Sequence, residues 1–190
     1  MSATNRGAVR RESDFYATPL ETVYSFLDTY DGIKSTDVIL EPSAGNGNII
    51  QAMRNRGYKN HIDAVEIRRE EYDALRLLAD GVTIGDFLEL RLLEGLRPYN
   101  VVIGNPPFSK ALEFVEKSLE LVDENGRVIM LLRTAFLESK SRFNFWKKNP
   151  LSGLYTLHKR PSFTGKGTDA DSYSWFVWCK SDVGQTIKII

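Results

Sequence analysis

Residues 37–47 read Asp37-Val38-Ile39-Leu40-Glu41-Pro42-Ser43-Ala44-Gly45-Asn46-Gly47, and this stretch decides the fold. A short apolar strand comes first, a loop with glycines follows, and a helical pattern carrying Ile49, Ile50 and Met53 comes next. A strand, a glycine loop and a helix in this order are typical of open α/β sheets that bind a ligand across the carboxyl ends of their strands. Ile50 stands where the dinucleotide fingerprint needs a third glycine, but a helix amino end can still bind a carboxylate. The stretch therefore predicts a ligand-binding loop.

Acidic residues end the next two predicted strands. Glu66 follows the run His61–Val65, and Asp86-Phe87 follows Val82–Gly85. A carboxylate at the end of the second strand is placed to hold both hydroxyls of a ribose. Asp86 can accept a hydrogen bond from an exocyclic amine, and Phe87 can cover an adenine ring. The alternative for each acid is an ordinary solvated surface residue.

The tetrapeptide Asn105-Pro106-Pro107-Phe108 directly follows the apolar run 99–104. Two prolines cannot continue a strand ladder, because neither donates an N–H and both have a fixed φ. The side-chain oxygen of Asn105 and the carbonyl of Pro106 are two acceptors beside the flat face of Phe108. This combination suits a planar ring that carries an amine. The alternative is a simple Asn-Pro turn.

The remaining segments alternate in the way that predicts a parallel sheet with crossover helices. Strands are expected near 37–41, 61–66, 82–85, 99–104, 127–132, 154–158 and 173–178, with a turn over 123–126. Helices are expected near 19–30, 48–56, 69–79 and 110–122. Thr18, Pro19 and Glu21 predict the N-cap, the first residue and the capping-box partner of the first helix.

Together, Glu41–Gly47, Glu66, Gly85-Asp86-Phe87 and Asn105–Phe108 resemble the motifs of S-adenosylmethionine-dependent amino-methyltransferases. The resemblance is greatest to adenine-N6 DNA methyltransferases in their compact phage-type or orphan form, and it runs from about residue 13 to 180. It implies an α/β, Rossmann-like class I methyltransferase fold with a mostly parallel seven-stranded sheet, an antiparallel last strand and helices on both faces. It also implies a single catalytic domain over 13–190 with no separate target-recognition domain. A flexible basic arm is expected over 1–12.

The resemblance assigns a role to each motif. The glycine loop would hold the methionine part of the cofactor, Glu66 its ribose, and Asp86 with Phe87 its adenine. The segment 14–19 resembles the part of these enzymes that closes over the methionine end, although Phe15 and Tyr16 could instead form a hydrophobic staple on the first helix. The implied cofactor-binding residues are Tyr16, Thr18, Pro19, Glu41, Pro42, Ser43, Ala44, Gly45, Gly47, Glu66, Ile67, Asp86, Phe87 and Asn105. The implied catalytic residues are Asn105, Pro106, Pro107 and Phe108.

Composition excludes several classes of protein. The chain has 190 residues and is 42% apolar, as expected for one globular domain. It carries no apolar run of the roughly 20 residues that a membrane span needs, and no signal-peptide pattern at its start. The single cysteine, Cys179, excludes an internal disulfide and a cysteine-based zinc site, and no metal is expected. We expect no membrane association and a cytoplasmic location, in a bacterial or phage-infected cell.

Positive charge is concentrated in one part of a neutral chain. Residues 127–166 hold nine Lys or Arg and one acid, Glu138, and aromatic residues are interleaved with the bases. This composition suits phosphate contact with base stacking, although the aromatics could also be core and the bases a solvated face. The loop over 160–172 is longer than a usual hairpin connection and is a candidate binding loop. The expected nucleic-acid contacts are Lys140, Arg142, Lys147, Lys148, Lys159, Arg160 and Lys166.

The predicted function is transfer of the methyl group of S-adenosylmethionine to the N6 amine of adenine in DNA, after the base has been flipped into the pocket. Because the chain has no room for a target-recognition domain, we expect low sequence specificity or a site read by residues 136–172. DNA is favoured over RNA, and a specificity subunit or a homodimer is a possible partner. The alternatives are an RNA methyltransferase acting on adenine N6 or guanine N2, and a silent cofactor-binding subunit of a larger complex. A glutamine-directed protein methyltransferase fits less well, since it usually has Tyr in place of Phe108 and an extra helical domain.

Overall fold

A single eight-stranded sheet organises the part of the chain that the computed structural model describes, which is residues 17–91, 98–163, 167–181 and 184–190. The strands lie in the order β3-β2-β1-β4-β5-β7-β6-β8. β7 is antiparallel to both of its neighbours, β5 and β6, and every other pair is parallel. The strands are β1 Ile39–Glu41, β2 Ile62–Glu66, β3 Gly81–Ile84, β4 Tyr99–Gly104, β5 Val122–Arg133, β6 Gly153–Thr156, β7 Tyr173–Cys179 and β8 Thr186–Ile189.

Five α-helices and four short 3-10 turns connect these strands within the described residues. The α-helices are α1 Leu20–Leu27, α2 Asn48–Asn55, α3 Tyr72–Leu75, α4 Ala111–Leu121 and α5 Phe143–Lys148. The 3-10 turns are Arg69–Glu71, Phe108–Lys110, Thr134–Leu137 and Lys140–Arg142. No helix in these described ranges is both long and apolar enough to cross a membrane.

Alternating strand residues build one core on each face of the sheet, because successive side chains of a strand point in opposite directions. Val101 and Ile129 belong to the core that also contains residues of α1 and α2. Val102 and Val128 belong to the opposite core, which contains residues of α4 and α5. The predicted α/β fold with helices on both faces is therefore confirmed. Since β1, β2, β4 and β5 run parallel, their carboxyl ends meet at one edge of the sheet.

The structure departs from the expected elements in four places, one of which is the helix α5, Phe143–Lys148, where no helix was expected. The edge strand β8 is additional to the predicted seven, and its four residues are exposed. The helix expected over 69–79 is a 3-10 turn followed by the four-residue α3, in which Leu75 alone is buried. The turn predicted over 123–126 lies inside β5 as a bulge between the pairs Tyr99–Val122 and Val101–Arg127. The bulge is closed locally, since the side chain of Asp123 accepts the N–H of Asn125 at 2.9 Å.

The first helix also begins differently from the prediction. Its N-cap is Pro19, no side chain caps it, and the N–H of Thr22 is bonded to the carbonyl of Pro19 at 3.0 Å. The expected capping box of Thr18 and Glu21 is therefore wrong. The hydroxyl of Thr18 is bonded instead to Asn105, which lies 87 positions away in the chain.

Candidate active site

A cavity of about 390 Å³ lies at the carboxyl ends of the parallel strands. It is bounded by the segment before α1, the glycine loop after β1, and the residues that follow β2, β3 and β4. Among the residues predicted from sequence, those that line it are Thr18, Glu41, Pro42, Ser43, Ala44, Gly45, Glu66, Ile67, Asp86, Phe87, Asn105, Pro106, Pro107 and Phe108. Pro19 and Gly47 are the N-caps of α1 and α2 and do not line it. Tyr16 and the basic arm over 1–12 lie outside the described residues.

The glycine loop has the backbone that its sequence predicts. Gly45 and Gly47 have φ values of 56° and 80°, which residues with a Cβ rarely adopt. A Cβ on Gly47 would also stand 2.7 Å from Leu78 Cδ1, a contact that a shift of the Leu78 side chain would relieve, so the φ value is the main reason for glycine here. The N–H of Gly45 donates to Glu66 Oε2 at 2.6 Å and so ties the loop to the end of β2.

Glu66 is buried and is held by Arg68, a residue that the sequence did not single out. Its Oε1 accepts from the backbone N of Arg68 at 2.9 Å and from Arg68 Nε at 3.0 Å. The same guanidinium bonds Glu71 Oε1 at 3.0 Å, and Arg68 lines the cavity. In the sequence Arg68 is one of several charged residues after β2, so no pattern distinguishes it.

Glu41 is a second buried carboxyl at the cavity, and it is only 1% exposed. Burial raises its pKa well above the ordinary value, and the charge of Glu66 adds to this rise. A hydrogen bond from the backbone N–H of Ile50 acts in the opposite direction. Its Oε2 is buried without a hydrogen-bond partner among the described residues. The site therefore contains a carboxyl oxygen that a ligand cation or N–H could bind.

Asp86 and Phe87 differ in how they meet the cavity. Asp86 Oδ1 accepts the backbone N–H of Leu88 at 2.9 Å, and Lys110 Nζ lies 3.4 Å from its Oδ2. Phe87 is 3% exposed, and its ring centroid lies 5.0 Å from that of Phe114 in the core. Its packing in the core limits the ring surface that it could offer to an adenine.

Asn105 is held by contacts to two other segments of the cavity wall. Its Nδ2 donates to Thr18 Oγ1 at 3.0 Å, and its backbone carbonyl accepts from Ser43 Oγ at 3.2 Å. The carbonyl of Thr18 in turn accepts from Asn48 Nδ2 at 2.8 Å, which links this segment to the first residue of α2. The Asn105 side chain is thus oriented by Thr18 in the segment before α1, whereas the glycine loop holds its backbone.

Phe108 begins the 3-10 turn after the two prolines and lies among aromatic and cationic side chains. The guanidinium carbon of Arg133 is 4.6 Å from its ring centroid. The rings of Tyr173 and Phe163 lie at 5.7 Å and 6.2 Å. These neighbours come from β5, β7 and the loop between β6 and β7, and sequence spacing alone does not bring them together.

The basic residues predicted to contact nucleic acid fall into two groups. Lys140, Lys147, Lys148 and Lys159 are exposed, whereas Lys166 lies outside the described residues. Arg142 donates to the carbonyls of Phe136, Ala135 and Glu138. Arg160 donates to the carbonyl of Ala170 at 2.9 Å. Both arginines hold their own segments, which favours a structural role for them over a nucleic-acid contact.

The interleaved aromatics are mostly core residues. Phe145 and Phe163 are buried, and the ring of Trp146 stacks on that of Trp178 at 6.0 Å. Phe143 is the exception, since it is 57% exposed and Lys147 Nζ lies 4.8 Å from its ring centroid. Within the described residues, no group of three His, Cys, Asp or Glu side chains is placed to hold a metal ion.

Sequence comparison finds no matching family model and no matching curated protein. Solved structures do match. A protein from Listeria monocytogenes described as a class I S-adenosylmethionine-dependent methyltransferase aligns with 18% identity and a TM-score of 0.65, over 90% of this chain and 65% of that one. The M protein of the type I restriction enzyme EcoKI aligns with 17% identity and a TM-score of 0.65, over 86% of this chain and 44% of that one.

A protein from Pyrococcus horikoshii described as an RNA methyltransferase aligns with 21% identity and a TM-score of 0.59, over 88% of this chain and 86% of that one. The chain spans 65% of the length of the Listeria protein and 44% of the EcoKI subunit. At these identities the likeness concerns the fold. The chain therefore has the fold of the class I S-adenosylmethionine-dependent methyltransferases.

Proposed function

We propose that this protein transfers a methyl group from S-adenosylmethionine to the N6 amine of adenine in DNA. The observation that carries the proposal is that Asn105–Phe108 and the glycine loop with Glu66 line one cavity. An amine-directed turn and a nucleoside-binding loop are the two halves that such a reaction needs. The fold likeness is consistent with it.

The residues present fit S-adenosylmethionine. The unpartnered, buried Oε2 of Glu41 is an acceptor suited to the ammonium of the methionine part, and the open backbone at Gly45 allows close approach. Glu66 would bind the ribose hydroxyls, in place of or beside its bond to Arg68. Asp86, whose Oδ2 faces Lys110, would accept from the adenine amine. Bound there, the cofactor supplies an electrophilic methyl group.

The chain's own contribution to the reaction is to bind and orient the amine. In adenine the N6 lone pair is delocalised into the ring, so the amine is a poor nucleophile. If the Asn105 side-chain oxygen and the Pro106 carbonyl accept its two N–H bonds, they favour the tetrahedral nitrogen of the transition state. Preorganised acceptors of this kind contribute about 3 kcal/mol to a barrier. The bound cofactor would supply the methyl carbon to this nitrogen with cleavage of its own carbon–sulfur bond, while Asn105 and the Pro106 carbonyl would hold the amine until its proton leaves to water.

DNA is the proposed polymer because exposed lysines follow β5 and β6 at the cavity end of the sheet. Lys140 follows β5 and Lys159 follows β6, and both are exposed. The ring of Phe143, three residues after Lys140, is 57% exposed. A duplex base must leave its stack to enter the cavity, and stacking on Phe108 would stabilise it there. The likeness to the EcoKI M protein favours a DNA substrate, and the likeness to the Pyrococcus protein favours an RNA substrate. The experiment below therefore tests both polymers.

The test is transfer of labelled methyl from S-adenosylmethionine to duplex DNA, single-stranded DNA and RNA, with the modified nucleoside identified by mass spectrometry. Asn105→Ala is compared with the wild type, and cofactor binding by both is measured by equilibrium dialysis. We expect N6-methyladenine in DNA, lost in Asn105→Ala while cofactor binding persists.

Product found only in RNA would replace this proposal by the RNA alternative. Cofactor binding without transfer to any polymer would favour a silent subunit or a protein substrate. Equal loss of transfer and cofactor binding in Asn105→Ala would contradict the division of roles between the turn and the glycine loop.

A further inference from the structure

Arg133 ends β5, directly beside the strand that carries the Asn105–Phe108 turn. Its guanidinium lies over the ring of Phe108, at 4.6 Å from the centroid. Its Nε bonds Asp171 Oδ2 at 3.1 Å, and it also shares a hydrogen bond with the hydroxyl of Tyr173. One side chain therefore contacts the proposed catalytic turn, β7 and the end of the β6–β7 loop.

The carboxyl end of that loop is built around the same contacts. The hydroxyl of Tyr173 donates to Asp169 Oδ2 at 3.3 Å, and the backbone N–H of Asp171 donates to Asp169 Oδ1 at 2.9 Å. The N–H of Thr134, next to Arg133, donates to the carbonyl of Ser172 at 2.9 Å. The two ends of the loop are also bonded to each other, since the N–H of Asp169 donates to the carbonyl of Pro161 at 2.9 Å.

A lysine could not replace this arrangement. A planar guanidinium can stack on a ring with its face while its edge donates to several acceptors, whereas an ammonium is a single point charge on a flexible stem. The contact with Asp171 also bears on a second possibility, which is that Arg133 binds a phosphate. A phosphate would have to compete with a carboxylate that already holds Nε.

We propose that Arg133 is a positioning residue that fastens the β6–β7 loop to the ring of Phe108. This rests on the proposed function, because the ring matters as the surface on which the substrate's aromatic ring stacks. By holding ring and loop in one arrangement before substrate binds, Arg133 lowers the cost of aligning the amine with the methyl group. Displacements of about 1 Å in such an arrangement can cost as much as a hundredfold in rate.

The experiment compares Arg133→Ala and Arg133→Lys with the wild type. Arg56→Ala is the matched control. Arg56 likewise pairs with an aspartate, Asp28 at 2.7 Å, and lies 4.0 Å over a ring, but that ring belongs to Tyr24, which unlike Phe108 does not line the cavity. Amide hydrogen exchange over residues 167–172 is measured without substrate. The kcat at saturating DNA, the KM for S-adenosylmethionine and the salt dependence of DNA binding are measured with it.

In Arg133→Ala we expect faster exchange in 167–172 and a fall of about tenfold or more in kcat, with an unchanged KM for the cofactor. Arg133→Lys should recover less than half of the lost rate, and Arg56→Ala should resemble the wild type. In a Phe108→Ala background, Arg133→Ala should cost little further rate, because the two residues act through one ring.

Unchanged loop exchange in Arg133→Ala would overturn the proposal. So would an unchanged kcat combined with weaker DNA binding and a salt slope reduced by about one, which is the signature of a phosphate contact. A wild-type protein that transfers no methyl group would be a failure of the proposed function, and it is seen before any variant is compared.

Discussion

The side-chain amide of Asn105 has a donor end and an acceptor end, and only the acceptor end suits an incoming amine. Thr18 Oγ1 binds the donor end at 3.0 Å, and Thr18 itself is 6% exposed. Because nitrogen and oxygen diverge from the same carbon, this contact fixes the direction in which the oxygen points. The hydroxyl of Thr18 thus orients the Asn105 amide, in addition to any contact that it makes with the cofactor.

Thr18→Val removes this hydroxyl at nearly constant volume, and we expect kcat for methyl transfer to fall about tenfold, the value of one hydrogen bond of about 1.4 kcal/mol. Thr18→Ser keeps the hydroxyl and should stay close to the wild type. Equilibrium dialysis should give both variants the wild-type Kd for S-adenosylmethionine. A rise in that Kd by the same factor as the loss of rate would make Thr18 a cofactor-binding residue instead.

Glu41 provides a pH-dependent contribution to stability. Burial raises the pKa of its carboxyl in the folded state, so over the window between the ordinary glutamate pKa, about 4.3, and the raised value the folded chain binds more protons than the unfolded one. The free energy of unfolding therefore falls as pH rises through this window, by up to about 1.4 kcal/mol per pH unit. Glu41→Gln should remove this slope.

The check is urea unfolding of the wild type and Glu41→Gln from pH 4 upward, with the difference between the two proteins taken at each pH. The subtraction removes other titrating groups, such as Asp28, whose pKa Arg56 lowers. A difference that does not change with pH would mean that the Glu41 carboxyl has the same pKa in the folded and unfolded chains.

At the scale of elements, sequence patterns predicted those features that depend only on neighbouring residues in the chain. The end of β4 before Pro106, the glycine loop after β1 and the acid that ends β2 could be predicted because each depends on residues adjacent in the chain. A proline must stop a strand ladder, and a glycine must occupy a left-handed turn, whatever the rest of the fold does. These motifs also brought most of the predicted site residues to the wall of one cavity.

What the sequence could not predict depends on contacts between distant segments. Thr18 matches a helix cap locally, yet its hydroxyl bonds Asn105 instead. Arg142 and Arg160 match a basic surface, yet each is bonded to carbonyls of its own segment. The strand β8 is exposed and short, so it lacks the alternation of buried and exposed residues that identifies a strand. Arg133 meets Tyr173 and the end of the β6–β7 loop because β5 and β7 pair in register.

At the scale of the whole molecule, charge is distributed unevenly on a chain with no net charge. The exposed Lys140 and Lys159 follow the carboxyl ends of β5 and β6, on the cavity side of the sheet. Lys34 and Lys59 are equally exposed, but they precede β1 and β2 and so lie at the opposite edge. We therefore expect the cavity edge, and not the opposite edge, to bind DNA. The two sets of lysines allow the two edges to be compared.

Replacing Lys140 and Lys159 together by Ala should weaken DNA binding at low salt and reduce the salt dependence, because each lost phosphate contact lowers the slope of log K against log salt by about 0.9. Replacing Lys34 and Lys59 by Ala should change neither quantity, since those residues lie at the opposite edge of the sheet. Fluorescence anisotropy with a labelled duplex over a series of salt concentrations measures both effects. If the two sets of substitutions reduce the slope equally, DNA binds without regard to the cavity edge, and the charge asymmetry has no part in directing the adenine toward Asn105.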